Sequence, residues 1–302
     1  MEYALGVDIG GTKVAIGLVD KTGFVKEQSI IPTDLSIPPE DMICRINSEI
    51  RKIISKTDLS KGELKGIGIG APGPLDIKNG LITCPPNLHT WINIPIQRLI
   101  EKEFPYPVRL ENDANAAALA EKWVGAGKEN ENFIYMTIST GIGSGIMVDG
   151  KLLHGYRGNA GDVGHMVVDT SFGKCTCGQY GCLEAIASGT AIATEGSNIV
   201  GEKLTTKEVF DLFKEGHPQI VAYMEKVLRV LGIACVSLIN TFDTEKIVIG
   251  GGVSKVGEPL FQPIRDYVEA HALNPEGRLT EIVPSKLDQN TGVVGSAALW
   301  LL

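Results

Sequence analysis

At 302 residues, with 43% hydrophobic and 21% charged residues, the chain can bury a sizeable core and is long enough to form two lobes. Its net charge of -8, with no cluster of Lys and Arg, argues against a nucleic-acid or acidic-membrane partner. Apolar runs are short and strand-like, well below the roughly 18 residues of a membrane helix, and the acidic start Met1 to Asp8 leads into a glycine loop rather than a signal peptide. A soluble, cytoplasmic protein is expected.

Tyr3 to Asp20 reads as a β-hairpin with a glycine-rich tip, because Val14, Ile16 and Leu18 alternate as a half-buried strand requires. A strand near Val25 to Ile31 follows, then isoleucines 43, 46, 50, 53 and 54 at helical spacing over Asp41 to Lys56. Gly66 to Gly70 is a strand ending in Ala71-Pro72-Gly73-Pro74, and a proline-rich loop carries Pro85, Pro86, Asn87 and Trp91. Val108 to Leu110 delivers Glu111-Asn112-Asp113 into an alanine-rich helix over Ala114 to Trp123. Phe133 to Ser139 and Gly145 to Val148 repeat the opening strand, glycine turn, strand design. Leu204 to Asn240 reads as helical, Lys246 to Ile249 as a strand, and the residues after Thr291 as a helix.

Three glycine loops are candidate phosphate contacts. Asp8-Ile9-Gly10-Gly11-Thr12-Lys13 can bend tightly and present N–H groups, a hydroxyl and a cation to an anion, although a Gly-Gly turn also serves a plain hairpin. Ser139-Thr140-Gly141-Ile142-Gly143-Ser144-Gly145 is a second such tip, and Gly250-Gly251-Gly252 follows a buried strand and is assigned to the nucleoside side. None fits the Walker phosphate loop or the dinucleotide fingerprint, which argues against a dehydrogenase. Two duplicated phosphate hairpins separated by a helix-bearing lobe resemble the actin-like ATPase architecture.

Asp113 falls in the first turn of its helix, where free N–H groups and the helix dipole favour an ionised carboxylate. It reads either as a cap or as the base that takes a hydroxyl proton in phosphoryl transfer, beside Asn112, whose amide can donate and accept. His165 with Cys175, Cys177 and Cys182 supplies the four ligands of a structural zinc site with no open position. The isolated Cys44, Cys84 and Cys235 read as small buried apolar residues.

Gly6 to Lys13, Gly70 to Pro74, Glu111 to Asn115, Gly161-Asp162-Val163-Gly164-His165 and Gly181-Cys182-Leu183-Glu184 together resemble the ROK family, most closely its bacterial glucokinases. The resemblance implies a two-lobed α/β actin-like ATPase (ribonuclease H-like) fold with a structural zinc loop. One lobe would cover 1–115, completed by 291–302, and the other 116–290. It further implies transfer of the γ-phosphoryl group of Mg-ATP to the 6-hydroxyl of glucose, with Asp113 as base, and a homodimer or homotetramer. Gly73, Asn87, Asn112, Asp113, Asp162, His165 and Glu184 would bind sugar, and Asp8, Gly10, Gly11, Thr12, Lys13, Thr140, Gly141, Gly143, Gly251 and Gly252 the nucleotide. Asp162 stands where the family's glucose kinases usually carry Glu, which opens other hexoses or N-acyl hexosamines as substrates. A non-catalytic sugar sensor or repressor is the reading of another class; such relatives place a DNA-binding segment ahead of the kinase-like body, whereas here the first glycine loop begins within ten residues of Met1.

Overall fold

The computed structural model of the chain describes residues 1–57, 63–287 and 290–302. The chain begins β1 (Tyr3–Ile9), β2 (Lys13–Asp20), β3 (Val25–Pro32), α1 (Pro39–Lys56), β4 (Leu64–Ala71), β5 (Leu75–Asp76), β6 (Leu81–Ile82), α2 (Ile96–Glu101), β7 (Val108–Asn112) and α3 (Asp113–Val124). It continues through β8 (Phe133–Ile138), β9 (Ile142–Val148), β10 (Lys151–Leu152), α4 (Leu183–Ala187), α5 (Gly189–Val200), α6 (Thr206–Lys214) and α7 (Pro218–Phe242). The last elements are β11 (Lys246–Gly250), α8 (Glu258–His271), β12 (Glu281–Pro284) and α9 (Thr291–Leu301). Two compact units result: Met1–Glu129 with Leu152–Ala160 and Lys286–Leu302, and Asn130–Lys151 with Gly161–Ser285.

Each unit is built on a five-stranded sheet of the same design, ordered β3-β2-β1-β4-β7 in the first and β10-β9-β8-β11-β12 in the second. In both, the leading strand pairs antiparallel with its hairpin partner and parallel with the next strand in sequence to join its other edge. The repeated hairpin legible in the sequence is therefore the start of a repeated sheet.

The alternation of β1 sorts its residues between two faces. Tyr3, Leu5, Val7 and Ile9 join the large cluster that includes Met42, Ile46 and Ile50 of α1. Ala4 faces the other way, into a cluster with Ala15, Val19, Val293 and Ala297 that packs α9 on the sheet. Small residues are required on that face: a Cβ on Gly6 would lie 1.9 Å from Val293 O, and one on Gly68 1.8 Å from Ser296 O. Asp8 follows Ala4 and Gly6 on the α9 side, where a Cβ on Gly292 would reach its carboxylate at 2.2 Å.

The expected division after residue 115 falls inside α3. That helix stays whole in the first unit because it lies directly on α9, where Gly295 permits an approach that a Cβ would close to 2.0 Å from Ala116 O. Strand β9 begins at Ile142 rather than Gly145, since its pairing with β8 extends to Ile138. Of the three isolated cysteines expected to be buried only Cys235 is, Cys44 and Cys84 being exposed on α1 and in the loop after β6, and helices α5 and α8 and strand β12 add to the elements expected from sequence. Gly189 opens α5 and Pro263 interrupts the sequence pattern of α8, so local propensity understates both. Among the described residues no helix is long and apolar enough to cross a membrane.

Candidate active site

In the first unit β7 ends on Asn112, the N-cap of α3, whose Oδ1 accepts from Ala114 N–H (3.0 Å) and Asn115 N–H (3.2 Å). Both lone pairs of that oxygen serve the helix, so Asn112 offers a ligand its amide Nδ2 and not the donor and acceptor pair expected from sequence. Gly73 abuts that amide, a Cβ there lying 3.5 Å from Nδ2. The Asp113 carboxylate accepts from Ala114 N–H at 2.8 Å. Burial nevertheless raises its pKa above the ordinary carboxylate value, outweighing the lowering by the Ala114 N–H, its own N–H and the Asn112 amide. Burial thus opposes the ionisation that the helix start favours, and the group binds a proton more readily than an exposed aspartate.

Burial, then the negative charge of Asp113, raise the Asp8 pKa to about 6 against the opposing pull of Lys13. Gly10 N–H donates to Lys13 O (2.9 Å) and closes the hairpin tip that carries Thr12. A Cβ on Gly11 would lie 2.7 Å from Asn87 O, so Gly11 allows the tip to sit on the turn Pro86–Leu88 and brings Asn87 to it. This unit therefore gathers Asp8, the Gly10–Lys13 tip, Gly73, Asn87, Asn112 and Asp113.

The raised Asp8 pKa has a consequence for stability. A carboxylate that is more basic folded than unfolded favours the fold while protonated, and this contribution is lost as pH rises from about 4 through about 6. Asp8→Asn is therefore expected to stabilise the protein by up to about 3 kcal/mol at pH 8, from a shift of about two pK units at about 1.4 kcal/mol each, with little difference from wild type below pH 4. Denaturant unfolding at the two pH values checks it.

In the second unit the β8–β9 tip is Ser139, Thr140 and Gly141; Gly143 lies within β9 opposite Thr137 and not in the loop. Glu184, at the start of α4, accepts from Ile142 N–H through Oε2 (2.8 Å) and fills the space where a Gly141 side chain would stand, its Oε2 2.4 Å from a Cβ there. Gly164 packs on the same spot, a Cβ lying 2.2 Å from Ile142 O, so the Gly161–His165 motif, Glu184 and the glycine tip form one assembly. Asp162 is exposed at its edge. Gly251 has φ 86° and would place a Cβ 2.4 Å from Ile138 O, which requires glycine after β11. A cavity of about 1080 Å³ opens here, lined by Ser139, Thr140, Gly189, Gly252, Lys203 and Lys255 among others. Gly189, the first residue of α5, meets the tip directly, its N–H donating to Ser139 O at 2.7 Å.

His165, Cys175, Cys177 and Cys182 converge, their four potential ligand atoms all within 4.8 Å of one another. Cys177 Sγ lies 3.6 Å from Cys182 Sγ, and Cys175 Sγ 3.6 Å from His165 Nδ1. A tetrahedron with Zn–S bonds of 2.3 Å has edges of about 3.8 Å, so the donor set fits zinc in both chemistry and spacing. The Gln179 N–H, with smaller help from the neighbouring thiols, lowers the Cys177 pKa to about 7, while burial and those same thiols push Cys182 to about 12. Three thiolates this close would repel one another, and a divalent cation would remove that conflict.

Sequence reasoning passed over the partners of Glu111. This residue is 2% exposed; Oε1 accepts from Asn112 N–H (2.9 Å) and Asn115 Nδ2 (2.8 Å), and Oε2 meets His154 Nε2 at 2.8 Å. Its position in the Glu111 to Asn115 motif was the available signal, but His154 lies 43 residues away and carries none.

Residues 4–302 match the ROK family. The chain belongs to the ROK family. Among its relatives, the glucokinase of Halalkalibacterium halodurans is 36% identical, covering 99% of this chain and 94% of the relative. The ROK hexokinase of Thermus thermophilus superposes with a TM-score of 0.86 at 33% identity over 98% of this chain and 97% of that one. A ROK glucokinase from Streptomyces griseus, solved with glucose and AMPPNP, gives 0.80 at 31% identity over 99% of both. ROK relatives of other description match as well: an N-acetylmannosamine kinase from Haemophilus influenzae at 32% identity, covering 98% of this chain and 94% of the relative, and a xylose repressor from Caldicellulosiruptor bescii at 29%, covering 98% and 77%.

Proposed function

We propose that this ROK protein transfers the γ-phosphoryl group of ATP to the 6-hydroxyl of a hexose, with glucose the first candidate and Asp113 the base. The observation that carries the reading is Asp113 itself: a carboxylate fixed at a helix start, made more basic by burial, and electrostatically coupled to Asp8. Phosphoryl transfer asks the protein for alignment, charge neutralisation and a proton acceptor. The sugar hydroxyl donates to Asp113, its oxygen attacks the γ-phosphorus, the bond to the β-phosphate oxygen breaks, and the proton passes to the carboxylate. Sugar phosphate and ADP leave, and Asp113 then releases its proton to water.

Asn112 Nδ2, His165, Glu184 and Asp162 are the groups assigned to the remaining sugar hydroxyls, with Gly73 and Asn87 giving close approach. The phosphates are assigned to the Gly10–Lys13 and Thr140–Gly141 tips. The cavity of the second unit suits the nucleoside, and Lys203 and Lys255 along it favour a polyanion. Asp8 is the carboxylate that would hold Mg²⁺, since its buried charge faces Asp113 with Lys13 as the opposing cation. Mg²⁺ held there would supply charge neutralisation to the phosphates. Zinc on His165 and the three cysteines would tie the segment 165–182 to α4, leaving the second imidazole nitrogen for the sugar.

The glucokinase relatives and the complex with glucose and AMPPNP support glucose and ATP; the N-acetylmannosamine kinase supports the same chemistry on a hexosamine. Asp162, one methylene shorter than Glu, is the position where the two substrates are expected to separate. Asp162→Glu is expected to raise kcat/KM for glucose over N-acetylmannosamine by about 10-fold, the scale of one well-placed contact. An ADP-release assay with Mg-ATP across glucose, mannose, fructose, glucosamine, N-acetylglucosamine and N-acetylmannosamine tests the whole reading. Turnover on at least one sugar supports it, and none on any rejects it.

A further inference from the structure

The segment Leu152–Ala160 belongs to the first unit although the chain on both sides of it runs in the second. It is closed on itself by Ala160 N–H donating to His154 O (3.1 Å), and its outermost side chain, Tyr156, is 99% exposed. Polar contacts anchor this strap at two places. Asn159 exchanges hydrogen bonds with the Leu75 backbone, accepting at 3.4 Å and donating at 3.3 Å. His154 meets Glu111 Oε2 at 2.8 Å. The strap leads directly into Gly161 to His165, the motif assigned to the sugar.

Glu111 has more work than a buried carboxylate needs for its own satisfaction. Its Oε1 already holds both the backbone of Asn112, one residue before Asp113, and the side chain of Asn115, two residues after it. The other oxygen is the strap's anchor.

We propose that Glu111 and His154 are positioning residues for the transfer: one carboxylate oxygen fixes the Asn112–Asp113 turn, the other holds the strap, and strap docking and base alignment become one event. This rests on the hexose kinase reading above.

The charge of the imidazole matters to the anchor. The hydrogen bond to Glu111 comes first among the causes that raise the His154 pKa, aided by the Glu111 charge and the Leu152 backbone and opposed by partial burial. Glu111 on β7 is the charged group acting on the ring. The charged ring donates from both nitrogens and loses one donor on deprotonation. The anchor is therefore strongest below the raised His154 pKa and weakens as pH rises through it.

The test compares the full-length wild type with His154→Gln, His154→Ala and Glu111→Gln. Misplacing a catalytic group by about 1 Å costs about 10²-fold, so kcat is expected to fall about 10- to 100-fold in His154→Ala and Glu111→Gln, with the sugar dissociation constant little changed. Wild-type kcat should decline on the alkaline side above the His154 pKa, and His154→Gln, which cannot titrate, should lack that decline while keeping the acid limb set by Asp113. A second readout needs no turnover: in NMR titrations of the wild type the Asn112 amide signal should move with the His154 ring signal, identified by its loss in His154→Gln, and should stop moving in that variant. Variants with kcat within two-fold of wild type and an intact alkaline limb would overturn the proposal, as would an Asn112 signal indifferent to His154. Coupled titration in a wild type that phosphorylates no hexose would instead overturn the kinase reading and leave the link between strap and turn standing.

Discussion

Asp113→Asn is expected to lower kcat by about 10²- to 10⁴-fold, the usual contribution of a positioned base, while sugar binding and folding persist. The amide keeps the shape of the carboxylate and can still accept from Ala114 N–H. It cannot take the hydroxyl proton. Because burial already disfavours the Asp113 charge, the neutral amide removes a desolvation cost and the variant should unfold at no lower a temperature than wild type at pH 8. Wild-type kcat should fall as pH drops through the raised Asp113 pKa, at a higher pH than an exposed aspartate would give. Steady-state kinetics beside calorimetric sugar binding check both halves. Near-normal turnover in the variant would remove Asp113 from the mechanism; lost sugar binding would make it a ligand rather than a base.

Loss of the metal should rank next in effect. The segment from His165 to Cys182 contains two isolated β-bridges, Val167 to Cys182 and Lys174 to Tyr180, and little regular structure. Cys182 is fully buried against α4, where Glu184 holds Ile142 N–H beside the glycine tip. Three cysteines and a histidine whose ligand atoms lie within 4.8 Å of one another would crosslink this loop through a bound metal. Cys177→Ser changes the exposed ligand, so the core is spared. Supporting residues around metal sites typically matter 10- to 100-fold, so loss of a ligand itself is expected to reduce kcat/KM for the sugar by about 10²-fold or more. Elemental analysis should give about one zinc per chain in the unchelated wild type and less in the variant. Wild-type protein with no bound zinc and full activity would contradict the assignment.

The sequence was most informative where function and local geometry use the same residues. Gly11 and Gly251 are legible because a side chain there would meet backbone oxygen at 2.7 and 2.4 Å, and the His165, Cys175, Cys177 and Cys182 cluster because thiols so grouped have few other uses. The alternation of Val14, Ile16 and Leu18 marks the opening hairpin, but nothing in it says that Asp8 on β1 feels Asp113, since that proximity is made by β1 and β7 flanking β4 in the sheet. Asn112 was legible as a polar neighbour of Asp113, but its commitment as a helix cap appears only once the start of α3 is fixed at Asp113. Helix α5 was hidden because glycine, threonine, serine and asparagine give it poor intrinsic propensity, and its place beside Ser139 is set by packing and by the Ser188 cap. The Glu111 to His154 contact joins residues 43 apart through the excursion of the strap, which no periodicity encodes.

Hexose phosphorylation at the 6-hydroxyl is tested most directly by incubating the protein with Mg-ATP and glucose and identifying the product by ³¹P NMR. Accumulation of glucose 6-phosphate in step with ADP, abolished in Asp113→Asn, is the expected result. ATP left intact, or hydrolysed to ADP and free phosphate with glucose unmodified, would contradict the account for glucose, and the same outcome across the other hexoses would contradict it altogether.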